Sequence, residues 1–203
     1  MSKAVFSVVV FLALTNLPTA NATPKYDPYG VQNDVAVAEV LGGGWRILYQ
    51  GLYSESLPSV PALFRGACDR VMLASKRVGS LTFDVLSAIE TDVFAPLNTP
   101  LNTSIQSNGA QWYKNDQSLG FAGLGAAINQ TSADTNGLED RHRLSWHTIR
   151  LVDEPATRLN PGWRSGNNIR LDKSKEWERF VLTTTMPSSS AQSGQVNSCL
   201  HLG

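Results

Sequence analysis

The chain of 203 residues balances 17 basic against 17 acidic side chains, so no global field draws it onto nucleic acid or an anionic membrane. A chain of this size buries roughly 70% of its unfolded surface on folding, enough for one domain without a metal or a disulfide network. Its two cysteines and three histidines do not have the spacing of a transition-metal site: there is no Cys-x-x-Cys and no His-x-His.

Residues 1–22 read as a signal peptide. Lys3 gives a positive start, Val5 to Leu14 form an apolar run, Pro18 breaks it, and Ala20-Asn21-Ala22 is a small-x-small cleavage pattern. That run is shorter than the ~20 apolar residues of a membrane span, and no later stretch approaches that length. Removing Lys3 with the leader leaves 16 basic against 17 acidic residues. The expectation is therefore a secreted, extracellular protein with no membrane span and no nucleic-acid partner.

Residues 23–33 contain Pro, Tyr and Gly and read as an extended lead-in to a β domain over 34–185. Val35, Val37 and Val40 start a β pattern, interrupted by Gly42-Gly43-Gly44. No Lys-Ser/Thr follows these glycines, which excludes a phosphate-cradling loop. From Trp45 the alternation puts Trp45, Ile47 and Tyr49 on one face and Arg46, Leu48 and Gln50 on the other. A single short helix is expected between Ser59, as N-cap, and Gly66. Arg70–Val78 and Leu81–Ile89 read as strands joined at Gly79-Ser80.

Asp92 to Gly109 reads as a long surface loop. Ala110–Asn115 and Ser118–Ala122 follow as a strand pair, then a polar loop from Gln130 to Asp140, then a strand over Arg141–Ile149. Gly162–Gly166 brackets a turn or strand edge, and Lys175–Thr185 closes the domain as a strand, with a helix over Lys173–Phe180 as its competitor. Trp177, Arg179 and Val181 share one face of that strand. Residues 186–203, rich in Ser and Gln, read as a disordered tail. Short strands, with loops every roughly 8 to 12 residues, predict an all-β single-domain sandwich or jelly-roll-like fold.

The candidate chemistry centres on Arg143 to Thr148. Leu144 and Trp146 face one way, and Arg143, Ser145 and His147 the other. Ser145 and His147, with Asp134 or Asp140, are the residues of an exported hydrolase, but there is no Gly-x-Ser-x-Gly elbow. The aromatic residues are the better lead. Trp112, Tyr113 and Trp163 adjoin loops, with Asn108, Asn115, Asp116, Arg164, Asn167 and Asn168 nearby as hydrogen-bonding groups. That combination suits a glycan or cell-surface ligand, against the plainer reading that tryptophans in a small β domain are core. No cofactor is expected; calcium at Asp134, Asn136, Glu139 and Asp140 is the weaker alternative to a solvated acidic loop.

Cys68 and Cys199 pair in an oxidising compartment, or Cys68 is a small buried hydrophobe and Cys199 lies in the tail. Asn102-Thr103-Ser104 and Asn129-Gln130-Thr131 are N-glycosylation sequons, meaningful in a eukaryotic secretory pathway.

Several motifs occur in a familiar order. They are Gly43-Gly44-Trp45 with Tyr49, Val71–Ala74, Gly79–Thr82, Asn108-Gly109 with Trp112-Tyr113, Gly120–Ala122, Arg143–Thr148, Gly162–Gly166 and Trp177–Arg179. Together they resemble an uncharacterised secreted domain of bacterial surface and exported proteins, over Tyr29 to Thr184. Members of that group are similar but richer in cysteine, at positions held here by Leu48, Ser75, Ala133 and Ser165. The resemblance therefore carries over no disulfide, and it implies no activity. The expected function is a secreted binding or surface-interaction module with carbohydrate as ligand, the alternatives being a hydrolase or a structural envelope protein.

Overall fold

The computed structural model describes residues 25–115, 118–128, 140–147 and 163–184. Among them, ten strands form two five-stranded antiparallel sheets that pack as a β-sandwich. In the first half lie β1 (Gln32–Ala36), α1 (Val37–Gly42), β2 (Trp45–Leu52), α2 (Val60–Leu63), β3 (Arg70–Arg77), β4 (Thr82–Glu90) and α3 (Thr91–Phe94). In the second lie β5 (Ile105–Ser107), β6 (Ala110–Lys114), β7 (Ser118–Gly123), β8 (Arg143–His147), β9 (Arg164–Ser165) and β10 (Trp177–Thr184). One sheet has the order β1-β4-β3-β10-β2 and joins distant parts of the chain; the other, β5-β6-β7-β8-β9, is a consecutive meander.

The strand expected over residues 35–40 divides. Val35 pairs with Phe83 in the sheet, whereas Val37–Gly42 turns into a helix in which Ala38, Glu39 and Leu41 are good helix formers and Val40 is buried. The short helix near Ser59 is present with Pro61 in its first turn. The stretch read as a long loop over 92–109 contains the end of α3, whose Phe94 is buried, and all of β5. Asn108 and Gly109, both at positive φ (44° and 73°), form the two-residue turn from β5 to β6. Asn-Gly flanked by strands is a strong hairpin signal, and the loop reading of 92–109 passes over it. The lead-in is tied down from Tyr26, which donates its amide to Gly43 and accepts from Trp45 Nε1.

The inner core lies between the sheets. Val71, Leu73, Val85, Trp177 and Val181 meet Trp112, Phe121, Leu144 and Trp146 there. A second apolar layer of Met72, Ala74, Phe83, Phe180 and Leu182 lies on the opposite face of the first sheet, packed against Val40 and Trp45. Alternation along β10 matches both layers, and the strand reading of 177–184 holds over the helical one. In β2 the alternation breaks, because Val181 pairs with Tyr49 and Leu182 with Ile47, leaving Leu48 as an extra residue. This bulge turns Tyr49 to the inner core while Trp45 stays on the second layer, so the three aromatic and aliphatic residues expected on one face are divided.

Candidate functional site

Period-2 geometry puts Trp112 and Tyr113 on opposite faces of β6. Trp112 points into the core, with Phe94 at 5.8 Å and Phe121 at 5.2 Å between ring centroids. It is fully buried, so it offers no platform for a sugar ring. Trp163 is likewise a core residue, occupied on one face by the guanidinium of Arg179 at 4.9 Å and contacting Tyr53 edge-on at 6.1 Å. The expected aromatic stacking surface is thus taken up by the fold itself.

Tyr113 is different. In the register of the second sheet, Tyr113 lies beside Gly120, Gly120 beside Ser145, and Ser145 beside Arg164. These residues make one row on the outer face of that sheet, opposite the core. The Tyr113 hydroxyl reaches across Gly120 to donate to Ser145 Oγ at 2.8 Å. Glycine is required there, since an added Cβ would stand 2.6 Å from the Tyr113 hydroxyl and 2.2 Å from the Leu144 carbonyl oxygen. Arg164 donates through Nε to the Gly166 carbonyl at 2.6 Å and through Nη2 to the Asp140 carbonyl at 3.1 Å. Arg143 donates through Nε to Asp140 Oδ2 at 2.6 Å and through Nη1 to the Ala127 carbonyl at 2.7 Å.

Burial alone would raise the Asp140 pKa. The hydrogen bonds from Arg143 and the His142 amide, with the charges of Arg143 and Arg164, outweigh it and hold the carboxyl below its ordinary value. The result is a buried, hydrogen-bonded polar layer of two guanidiniums, a carboxylate and two hydroxyls. Tyr113, Ser145 and Arg164, named from sequence, converge on it; Arg143 was placed on the right face, and Gly120 and the pairing role of Asp140 were missed. Asn115 sits at the end of β6, where its Oδ1 accepts from the Ser118 amide at 3.0 Å. Asn167 is exposed in the Gly166–Asn168 turn beyond β9, and Asn168 is half-buried there with Ser165 as its paired residue. Asp116, Asp134, Asn136 and Glu139 lie outside the described residues, so the calcium loop is represented only by Asp140.

The hydrolase constellation does not assemble among the described residues. Ser145 Oγ is engaged by Tyr113, and His147 Nε2 is buried without a hydrogen-bond partner. His147 packs against Trp163, with ring centroids 6.5 Å apart, and burial lowers its pKa to about 4. A base needs a carboxylate to orient it and a nucleophile within reach, and among the described residues His147 has neither.

Two further polar groups bolt the sheets together. Ser75 Oγ donates to Ser165 Oγ at 2.5 Å, and Ser165 donates to Asp84 Oδ2 at 2.8 Å. Tyr53 accepts from Trp146 Nε1 at 3.0 Å and donates to the Arg164 carbonyl at 3.1 Å. Burial pushes the Tyr53 pKa up to about 12, so it stays a neutral donor. Arg179 donates through Nη2 to the carbonyls of Leu52 and Glu55 at 2.6 and 3.0 Å, fixing the chain beyond β2. An arginine on the Trp177–Val181 face was the sequence signal for this role.

Cys68 is disulfide-bonded; Cys199 lies outside the described residues. No described helix is long and apolar enough to cross a membrane. The fold and its polar layer define a class, a two-sheet antiparallel sandwich with hydrogen-bonding groups built onto the outer face of its meander sheet. No protein-family profile matches the sequence, and neither a curated protein nor a solved structure is significantly similar to it.

Proposed function

We propose that the protein is a secreted binding or surface-interaction module, with carbohydrate as its ligand class and the margin of the meander sheet's buried polar layer, at the exposed turn of Asn167, as its binding face. The supporting observation is the convergence of Tyr113, Ser145, Arg143, Arg164 and Asp140 on that layer. A sheet-on-sheet core needs only the inward residues, and a buried layer of this polarity is costly unless every member is held in place. Planar guanidiniums, hydroxyls and a carboxylate are also the donors and acceptors that recognise a polyhydroxyl ligand. The ligand is read by hydrogen bonds at the rim of this layer and by the exposed Asn167, with no stacking on Trp112 or Trp163.

The test is a glycan array with the folded full-length protein and two mild variants. Tyr113→Phe removes one hydroxyl, and Asn167→Ala removes one exposed amide. Asn167→Ala is expected to lose at least tenfold in binding, and Tyr113→Phe to weaken binding indirectly by releasing Ser145 from its hydrogen bond, both keeping the native circular dichroism spectrum. Undiminished binding by both folded variants rejects this face. A wild type that binds no glycan but self-associates is instead a structural protein. Turnover of an ester, peptide or glycoside that is lost in His147→Ala would restore the hydrolase reading.

A further inference from the structure

The sequence carries two sequons, and the structure describes one of them. Asn102 is the third residue of a four-residue turn closed by the Thr103 amide donating to the Pro100 carbonyl at 3.1 Å. Its φ of 61° is the left-handed conformation that this position of a turn takes and that Asn tolerates. Leu101, Asn102 and Thr103 are all exposed. The turn is therefore reached from solvent in the folded protein. Cys68 in a disulfide independently points to maturation in an oxidising compartment.

We propose that Asn102 is an acceptor for an N-linked glycan in a eukaryotic secretory pathway, a proposal that rests on the secreted reading above. The donor class is an oligosaccharide carried on a lipid pyrophosphate. The Asn102 amide nitrogen forms a bond to the anomeric carbon, the bond from that carbon to the pyrophosphate oxygen breaks, and the amide gives up one proton. The lipid pyrophosphate leaves, and nothing is oxidised or reduced. Transfer reads the hydroxyl two residues on, Ser104, which in the folded state donates to Gln111 Oε1 at 3.0 Å. The glycan would stand beside exposed Leu101 and next to β5, the edge strand of the meander sheet. A hydrated branch there obstructs edge-to-edge pairing with another chain, a standard hazard of exposed strands.

The experiment is secretion of the full chain from a eukaryotic culture, once with its own leader and once with a borrowed one, followed by peptide mass spectrometry after peptide-N-glycosidase. The expected result is Asn102 converted to Asp by the glycosidase, with the glycan absent from both Asn102→Gln and Ser104→Ala and retained in Asn129→Gln. Unmodified Asn102 in protein secreted with either leader overturns the proposal. No secretion with its own leader, together with modification of the protein secreted by the borrowed one, keeps the acceptor and removes the secretion reading, so the two failures are distinguishable.

Discussion

His147 shows how a residue's chemistry is set by its surroundings. In the unfolded chain its imidazole titrates near 6.5, whereas in the folded protein burial lowers that to about 4. Above pH 6.5 both states hold it neutral, and it contributes nothing to the pH dependence. Below that, the unfolded chain takes up a proton that the folded one refuses, so stability falls as pH drops toward 4. The total loss is about 3 kcal/mol. Denaturant midpoints across this window should show the decline, and His147→Gln should flatten it by about that amount; an unchanged slope in the variant would place the acid sensitivity elsewhere. At this scale the sequence was informative about type and misleading about role. The polar face of Arg143, Ser145 and His147 was readable from alternation, but Tyr113 as the partner of Ser145 was not, because that bond crosses 32 residues of chain.

At the scale of the element, Gly120 is the most constrained point of the meander sheet. The carbonyl of Leu144 and the ring of Tyr113 leave no space for a Cβ. Gly120→Ala should therefore destabilise the protein by about 3 kcal/mol. Removing the tyrosine ring as well should not rescue it, since the closer obstacle is backbone. Gly123→Ala is the matched control, because its added Cβ meets only His142 Cβ, at 3.4 Å. Urea midpoints of the three variants decide this, and equal effects of Gly120→Ala and Gly123→Ala would refute it. The strands were largely legible. β3, β4, β6, β7, β8 and β10 fall where alternation and turn residues put them. α1 and β5 were not, the first because two valines resembled a strand start and the second because Asn108-Gly109 was absorbed into a polar stretch.

For the whole molecule, Cys68 is the residue whose stabilising effect reaches furthest. Its amide donates to Thr183 Oγ1 at 2.8 Å, and Thr183 donates in turn to the Arg70 carbonyl at 2.7 Å, so it sits against the central strands of the first sheet. Disulfide loss typically costs about 2–5 kcal/mol, and Cys68→Ser should lose that much. Wild type in reductant should unfold at the variant's midpoint, and a midpoint indifferent to reductant would deny the bond a stabilising role.

What the sequence determined by itself is the all-β class, the period-2 faces of most strands and the residues worth watching, because alternation and turn chemistry are local properties. What only the tertiary structure decided is which face each sheet turns to its partner. Alternation states that Trp112 and Tyr113 point oppositely, but not which of them the first sheet covers. That choice depends on long-range strand order and on packing, which put Trp112 in the core and left Tyr113, Ser145 and Arg164 to form the polar layer.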